Sequence, residues 1–114
     1  MPIKDFGLIK NKIEEGIKSG LNEFEEYIFP VIQENTPVDT GALRKSEKVE
    51  DLYDGLGKRF SADVPYAKRQ HEDLTLNHPR GGRAKYILSP IVENMDEASE
   101  MIAESVRRKL NGGV

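Results

Sequence analysis

An α+β domain, two long amphipathic helices packed on a small antiparallel sheet, is the fold this sequence predicts. Three observations predict it: apolar residues at helical spacing near the start of the chain, the same spacing near its end, and short alternating segments around a turn dipeptide between them. All 114 residues fit one domain, since a chain of this size holds one hydrophobic core.

The first helix is read over about 5–34. Ile9, Ile13, Ile17, Leu21, Phe24, Ile28 and Val31 recur at steps of three and four and so share a face, and Asp5 is placed to cap the start. Gly7, Gly16 and Gly20 each weaken a helix by roughly 1 kcal/mol against alanine, so packing has to hold it. Pro30 lacks the N–H that would bond Glu26, and a kink or break is expected there. Residues 36–46 are rich in turn formers. A hairpin follows over about 46–64, with Phe60, Ala62 and Val64 alternating and Asp54-Gly55 supplying residues that tolerate positive φ. A helical turn and loop are expected over 65–83 and a strand over about 84–88. Ser89-Pro90 reads as a cap and first position of a last helix to about 110. That helix carries Ile91, Met95, Ala98, Ile102, Val106 and Leu110 on one face, with acids early and bases late, as the helix dipole favours.

Composition narrows the function classes. Hydrophobic residues are 37% and charged residues 32%, which is polar but not the mixture of a disordered chain. A net charge of −3 disfavours general nucleic-acid binding. The absence of cysteine excludes disulfides, thiolate metal sites and a cysteine nucleophile. No apolar run has the length of a membrane span or of a secretion signal, which predicts a product retained in the cell that makes it.

Four stretches invite a chemical reading, and each has a plainer one. Asp39-Thr40-Gly41 is the active-site triplet of aspartic proteases, whose chemistry needs two carboxylates sharing a proton across two triplets or a symmetric dimer. Pro37 interrupts the strand such a site requires, so an Asx-type turn built on Asp39 and relieved by Gly41 is expected instead. His71-Glu72 opens like a zinc-protease helix, but Thr75 stands where the second histidine belongs. Arg80-Gly81-Gly82-Arg83, beside Lys85 and Tyr86, could let backbone N–H groups approach a phosphate, yet on a net-acidic chain it reads better as a loop tip or intersubunit arm. Gly16 and Gly20 form a GxxxG, whose membrane-dimer meaning does not apply in a charged helix. No catalytic, cofactor-binding or metal-ligating residue is therefore predicted.

Three segments in order carry a family likeness: Thr36-Pro37-Val38-Asp39-Thr40-Gly41-Ala42-Leu43-Arg44-Lys45-Ser46; then Pro65-Tyr66-Ala67-Lys68-Arg69-Gln70-His71-Glu72; then residues 78–90, including Arg80, Gly81, Gly82, Arg83 and Tyr86. Between two amphipathic helices they resemble the small tail-completion, head–tail joining or "minor capsid" proteins of long-tailed bacteriophages and prophages. Gln70-His71-Glu72 after Tyr66-Ala67 looks like the "minor capsid" branch. The resemblance implies a non-catalytic subunit of the virion neck, assembled in the bacterial cytoplasm. Its implied partners are other copies of itself in a ring, the portal or connector, and tail proteins, with no membrane, small-molecule substrate or cofactor. Thr36, Pro37, Asp39, Thr40, Gly41, Leu43, Arg44, Tyr66, His71, Glu72, Arg80, Gly81, Gly82, Arg83 and Tyr86 are the expected turn-forming or assembly residues. Two rival readings are a small nucleic-acid-binding regulator, suggested by basic residues gathered mid-chain, and a dimeric aspartic protease using Asp39.

Overall fold

The computed structural model describes residues 5–37, 41–62 and 86–112. In chain order these form α1 (Phe6–Asn35), α2 (Ala42–Ser46), β1 (Glu47–Leu52), a 3₁₀ turn (Tyr53–Gly55), β2 (Gly57–Ala62), α3 (Leu88–Glu93) and α4 (Met95–Gly112). The two long helices, α1 and α4, lie against a two-stranded antiparallel sheet, the expected α+β architecture. The assembly is rod-like, with extents of 60 × 22 × 18 Å.

The helix α1 runs through Pro30 without a break. A proline in a helix interior, which forfeits one hydrogen bond and presses its ring on the preceding turn, costs about 3 kcal/mol or more, and here Ile28 and Ile32, buried on either side of the exposed proline, hold the chain in register. Asp5 stands at the cap position, but its side chain makes no capping hydrogen bond.

Gly16 and Gly20 account for the crossing of α1 and α4. A Cβ at Gly16 would stand 2.6 Å from Val106 Cα, and one at Gly20 would stand 2.6 Å from Ile102 Cα. The two backbones therefore touch, and the buried residues of α4, Ala98 and Ser105, are both small. The expected stripe is correspondingly rotated. Ile91, Ile102 and Val106 are half-buried, while Met95 and Leu110 are exposed. The main core lies past the crossing, where Phe24, Ile28, Ile32 and Ala98 meet Val31, Phe60, Ile87, Ile91 and Met101.

The hairpin falls where the alternation put it. Glu47 pairs with Ala62 and Leu52 with Gly57, and Val49 opposes Phe60. Its turn takes Tyr53, Asp54 and Gly55 through φ of 51°, 56° and 90°, a run in the left-handed region that Asp-Gly accommodates at low cost. The expected strand at 84–88 is corrected over its described part. Tyr86 and Ile87 form a turn and Leu88 already begins α3. Pro90 is thus the third residue of α3 rather than its first, still within the turn where a missing N–H leaves no bond unmade. Asn94 then interrupts the expected single helix at φ −113°, and its side-chain amide donates to the Pro90 carbonyl at 2.8 Å.

Candidate functional site

The described residues of the first motif segment form a polar knot that ties the end of α1 to the start of the hairpin. Thr36 caps α1 in extended geometry and is fully buried, and the buried Pro37 follows. Gly41, at φ 82°, turns the chain into α2. That conformation strongly favours glycine over any residue with a Cβ. The short helix α2 then places Leu43 against Tyr86, and these two buried side chains form a second core with Ala62 and Ile87 beside them.

Arg44 points back at α1. Its Nε and Nη2 donate to the Thr36 carbonyl at 3.3 and 3.2 Å, and Nη2 also reaches the Glu34 carbonyl at 3.4 Å. A cation on these oxygens satisfies acceptors that a helix C-terminus leaves without partners. Gln33 Nε2 donates to the Arg44 carbonyl at 3.0 Å and to Glu47 Oε1 at 2.9 Å.

Glu47 completes the knot and is 8% exposed. Thr36 Oγ1 lies 2.6 Å from Glu47 Oε2 and 2.7 Å from the Ile32 carbonyl oxygen. A hydroxyl has one proton to give, so an ionised Glu47 leaves one of these two acceptors without it. A protonated Glu47 supplies its own proton to Thr36. Burial raises the Glu47 pKa, outweighing the Thr36 and Gln33 hydrogen bonds and the Arg44 charge, which favour the carboxylate. A carboxyl with a raised folded-state pKa contributes stability that is full below its unfolded value and is lost as pH rises through the folded one. Glu47→Gln keeps the acceptor for Gln33 and offers Thr36 a permanent donor. It should be more stable than the wild type at pH 7 by about 1 kcal/mol, the worth of one hydrogen bond, and indistinguishable at pH 4. Urea unfolding at the two pH values measures this, and a variant less stable at pH 7 would show that Glu47 works as an anion beside Arg44.

A second polar cluster fixes the hairpin to α1. Lys58 Nζ, on a side chain 7% exposed, is bound by Asn22 Oδ1 at 2.6 Å, Glu25 Oε1 at 2.8 Å and Asp51. Burial opposes its charge, but the bonds to Asp51 and Glu25 outweigh that and raise its pKa. Nearby, Lys18, Asn22, Asp51, Asp54 and Gly55 line an open hollow of about 380 Å³ between α1 and the hairpin turn.

Of the expected assembly residues, the structure brings Thr36, Pro37, Gly41, Leu43, Arg44 and Tyr86 into this one region. Asp39, Thr40, Tyr66, His71, Glu72, Arg80, Gly81, Gly82 and Arg83 lie outside the described residues. Sequence reasoning passed over Gln33 and Glu47. A glutamate beginning a charged strand gives no sign of burial; its only signal is a place eleven residues after Thr36, which has meaning once α2 is known to fold back. Among the described residues no group of three or more His, Cys, Asp or Glu side chains could hold a metal ion, and no helix is long and apolar enough to cross a membrane. The chain matches no protein family, no curated protein and no solved structure.

Proposed function

We propose that this chain is a structural neck protein of a tailed bacteriophage or prophage, a tail-completion or head–tail joining subunit of the "minor capsid" type. It acts as an oligomer in the virion neck, is assembled in the bacterial cytoplasm, and contacts copies of itself, the connector or portal, and tail proteins. It is not an enzyme and uses no cofactor.

The observation that carries this reading is the use made of the first motif segment. Thr36, Gly41, Leu43 and Arg44, four residues of the segment that carries part of the likeness to neck proteins, set backbone direction and lock α1 to the hairpin. A motif used for shape suits a subunit whose task is to present surfaces at fixed angles. The Asp-Thr-Gly reading as a protease is the less supported one, because Gly41 leads directly into the helix α2. The nucleic-acid regulator loses two of its mid-chain cations, since Arg44 is bound to α1 carbonyls and Lys58 to Glu25 and Asp51. Particles assembled without this chain should accumulate as filled heads and separate tails in electron micrographs.

A further inference from the structure

The hairpin is held to the helices in two different ways along its length. Alternation puts Glu47, Val49 and Asp51 of β1 and Lys58, Phe60 and Ala62 of β2 on the face turned to the helices. At the root, Glu47 is buried in the knot, Ala62 packs against the Leu43–Tyr86 core, and Phe60 joins the main core. At the tip the inward-facing pair is charged, Asp51 with Lys58, and the open hollow of about 380 Å³ lies between the turn and α1. Around Gly55 the nearest atoms belong to the flexible Lys18 stem, 3.3–3.7 Å from where a Cβ would stand. The Tyr53 ring lies on the hairpin itself, 2.9 Å from where a Cβ on Gly57 would stand.

We infer that the outer half of the hairpin, residues 51–58, is an arm that opens from α1 while the root stays closed, and that the Lys58 ammonium is its latch. An ammonium has three protons to give, and here each finds one acceptor: Asn22 and Glu25 on α1, and Asp51 across the strand pair. Two of the three bonds reach α1, so the tie between arm and helix is concentrated in one group. Segments with few buried apolar contacts open locally, at less cost than global unfolding. Phe60 marks the limit of the arm, because it belongs to the main core. Opening leaves no group without water: the Asp51 and Glu25 side chains are already 63% and 36% exposed, and the freed Lys58 ammonium becomes hydrated. The turn needs no support from α1, since the Leu56 N–H donates to the Tyr53 carbonyl at 3.1 Å. The arm therefore moves as a preformed unit on a fixed two-helix body. It carries Tyr53, at 78% the most exposed large apolar side chain among the described residues. The device holds whether or not the chain serves a virion neck.

Amide hydrogen exchange on the purified chain, with and without about 1 M urea, tests this, and circular dichroism checks that each variant folds. In the wild type, residues 51–58 should exchange about a hundredfold faster than residues 28–32 of α1. Low urea should leave the rate of the arm almost unchanged, because little surface is exposed when it opens, while residues 28–32 speed up. Lys58→Met keeps the buried stem and removes the ammonium. Exchange over residues 51–58 should then rise by about tenfold, as expected for losing a charged hydrogen bond at a partly exposed site. Asn22→Ala with Glu25→Ala removes the acceptors on α1 at partly exposed positions and should raise it in the same way. Residues 51–58 exchanging as slowly as residues 28–32, with the same response to urea, would mean that the hairpin opens only with the whole fold. An arm rate left unmoved by Lys58→Met or by the double substitution would mean that the latch stays closed when the arm opens. Each of these results overturns the inference.

Discussion

Gly20→Leu should destabilise the protein by about 3 kcal/mol or more, the upper range for forcing a side chain into filled space, although leucine is the better helix former. An alanine Cβ at this site already meets Ile102 Cα at 2.6 Å and Ile102 N at 3.2 Å. These are backbone atoms, and a shift to admit them separates α1 from α4 along their length. The propensity gain from replacing glycine, about 1 kcal/mol, is smaller than the packing energy forfeited when the helices part. Gly7 is the control, because nothing stands within 4 Å of a Cβ there, and Gly7→Ala should be neutral or stabilising. Urea unfolding of both variants measures the difference. Equal stability for Gly20→Leu and the wild type would mean that the two helices do not cross where Gly16 and Gly20 place them.

Ile28→Asp should abolish the fold at 37 °C. Ile28 has no accessible surface and sits in an apolar cluster with Phe24, Ile32 and Ala98. Removing the isoleucine side chain alone costs about 2–5 kcal/mol, and an unpaired buried charge adds more. The sum approaches the whole stability of a domain this size, about 5–15 kcal/mol. Ile13 belongs to the same sequence stripe but is only half-buried, so Ile13→Asp should leave a folded, weakened protein. Far-ultraviolet circular dichroism separates the two, and a helical, cooperatively melting Ile28→Asp would place the core elsewhere.

The contrast between Ile13 and Ile28 shows what the sequence makes legible. Period and turn chemistry locate the long elements: α1 spans Phe6–Asn35 against an expected 5–34, and the hairpin strands fall within the expected 46–64. Both signals are local, and local signals survive in a single sequence. Tyr86-Ile87-Leu88 fails because a short apolar run suits strand, turn and helix alike, and the deciding fact, Tyr86 packing on Leu43, is a distant contact. Burial is equally non-local. The glycines of α1 look like weak points until α4 lies on them, and Ser105 looks like a surface residue although α4 buries it. Within the candidate site, Thr36, Gly41, Leu43 and Arg44 stand out as a motif. Gln33 and Glu47 do not, although the knot is incomplete without them.

Complementation of a phage that lacks this gene tests the central claim most directly. Negative-stain images should show separate filled heads and tails without the chain, and joined particles when the wild-type chain is supplied. Supplying a chain with Arg80-Gly81-Gly82-Arg83 changed to Ala-Ser-Ser-Ala should leave heads and tails apart while the protein itself remains folded. Joined, infectious particles in the complete absence of the chain would contradict the assignment to the neck.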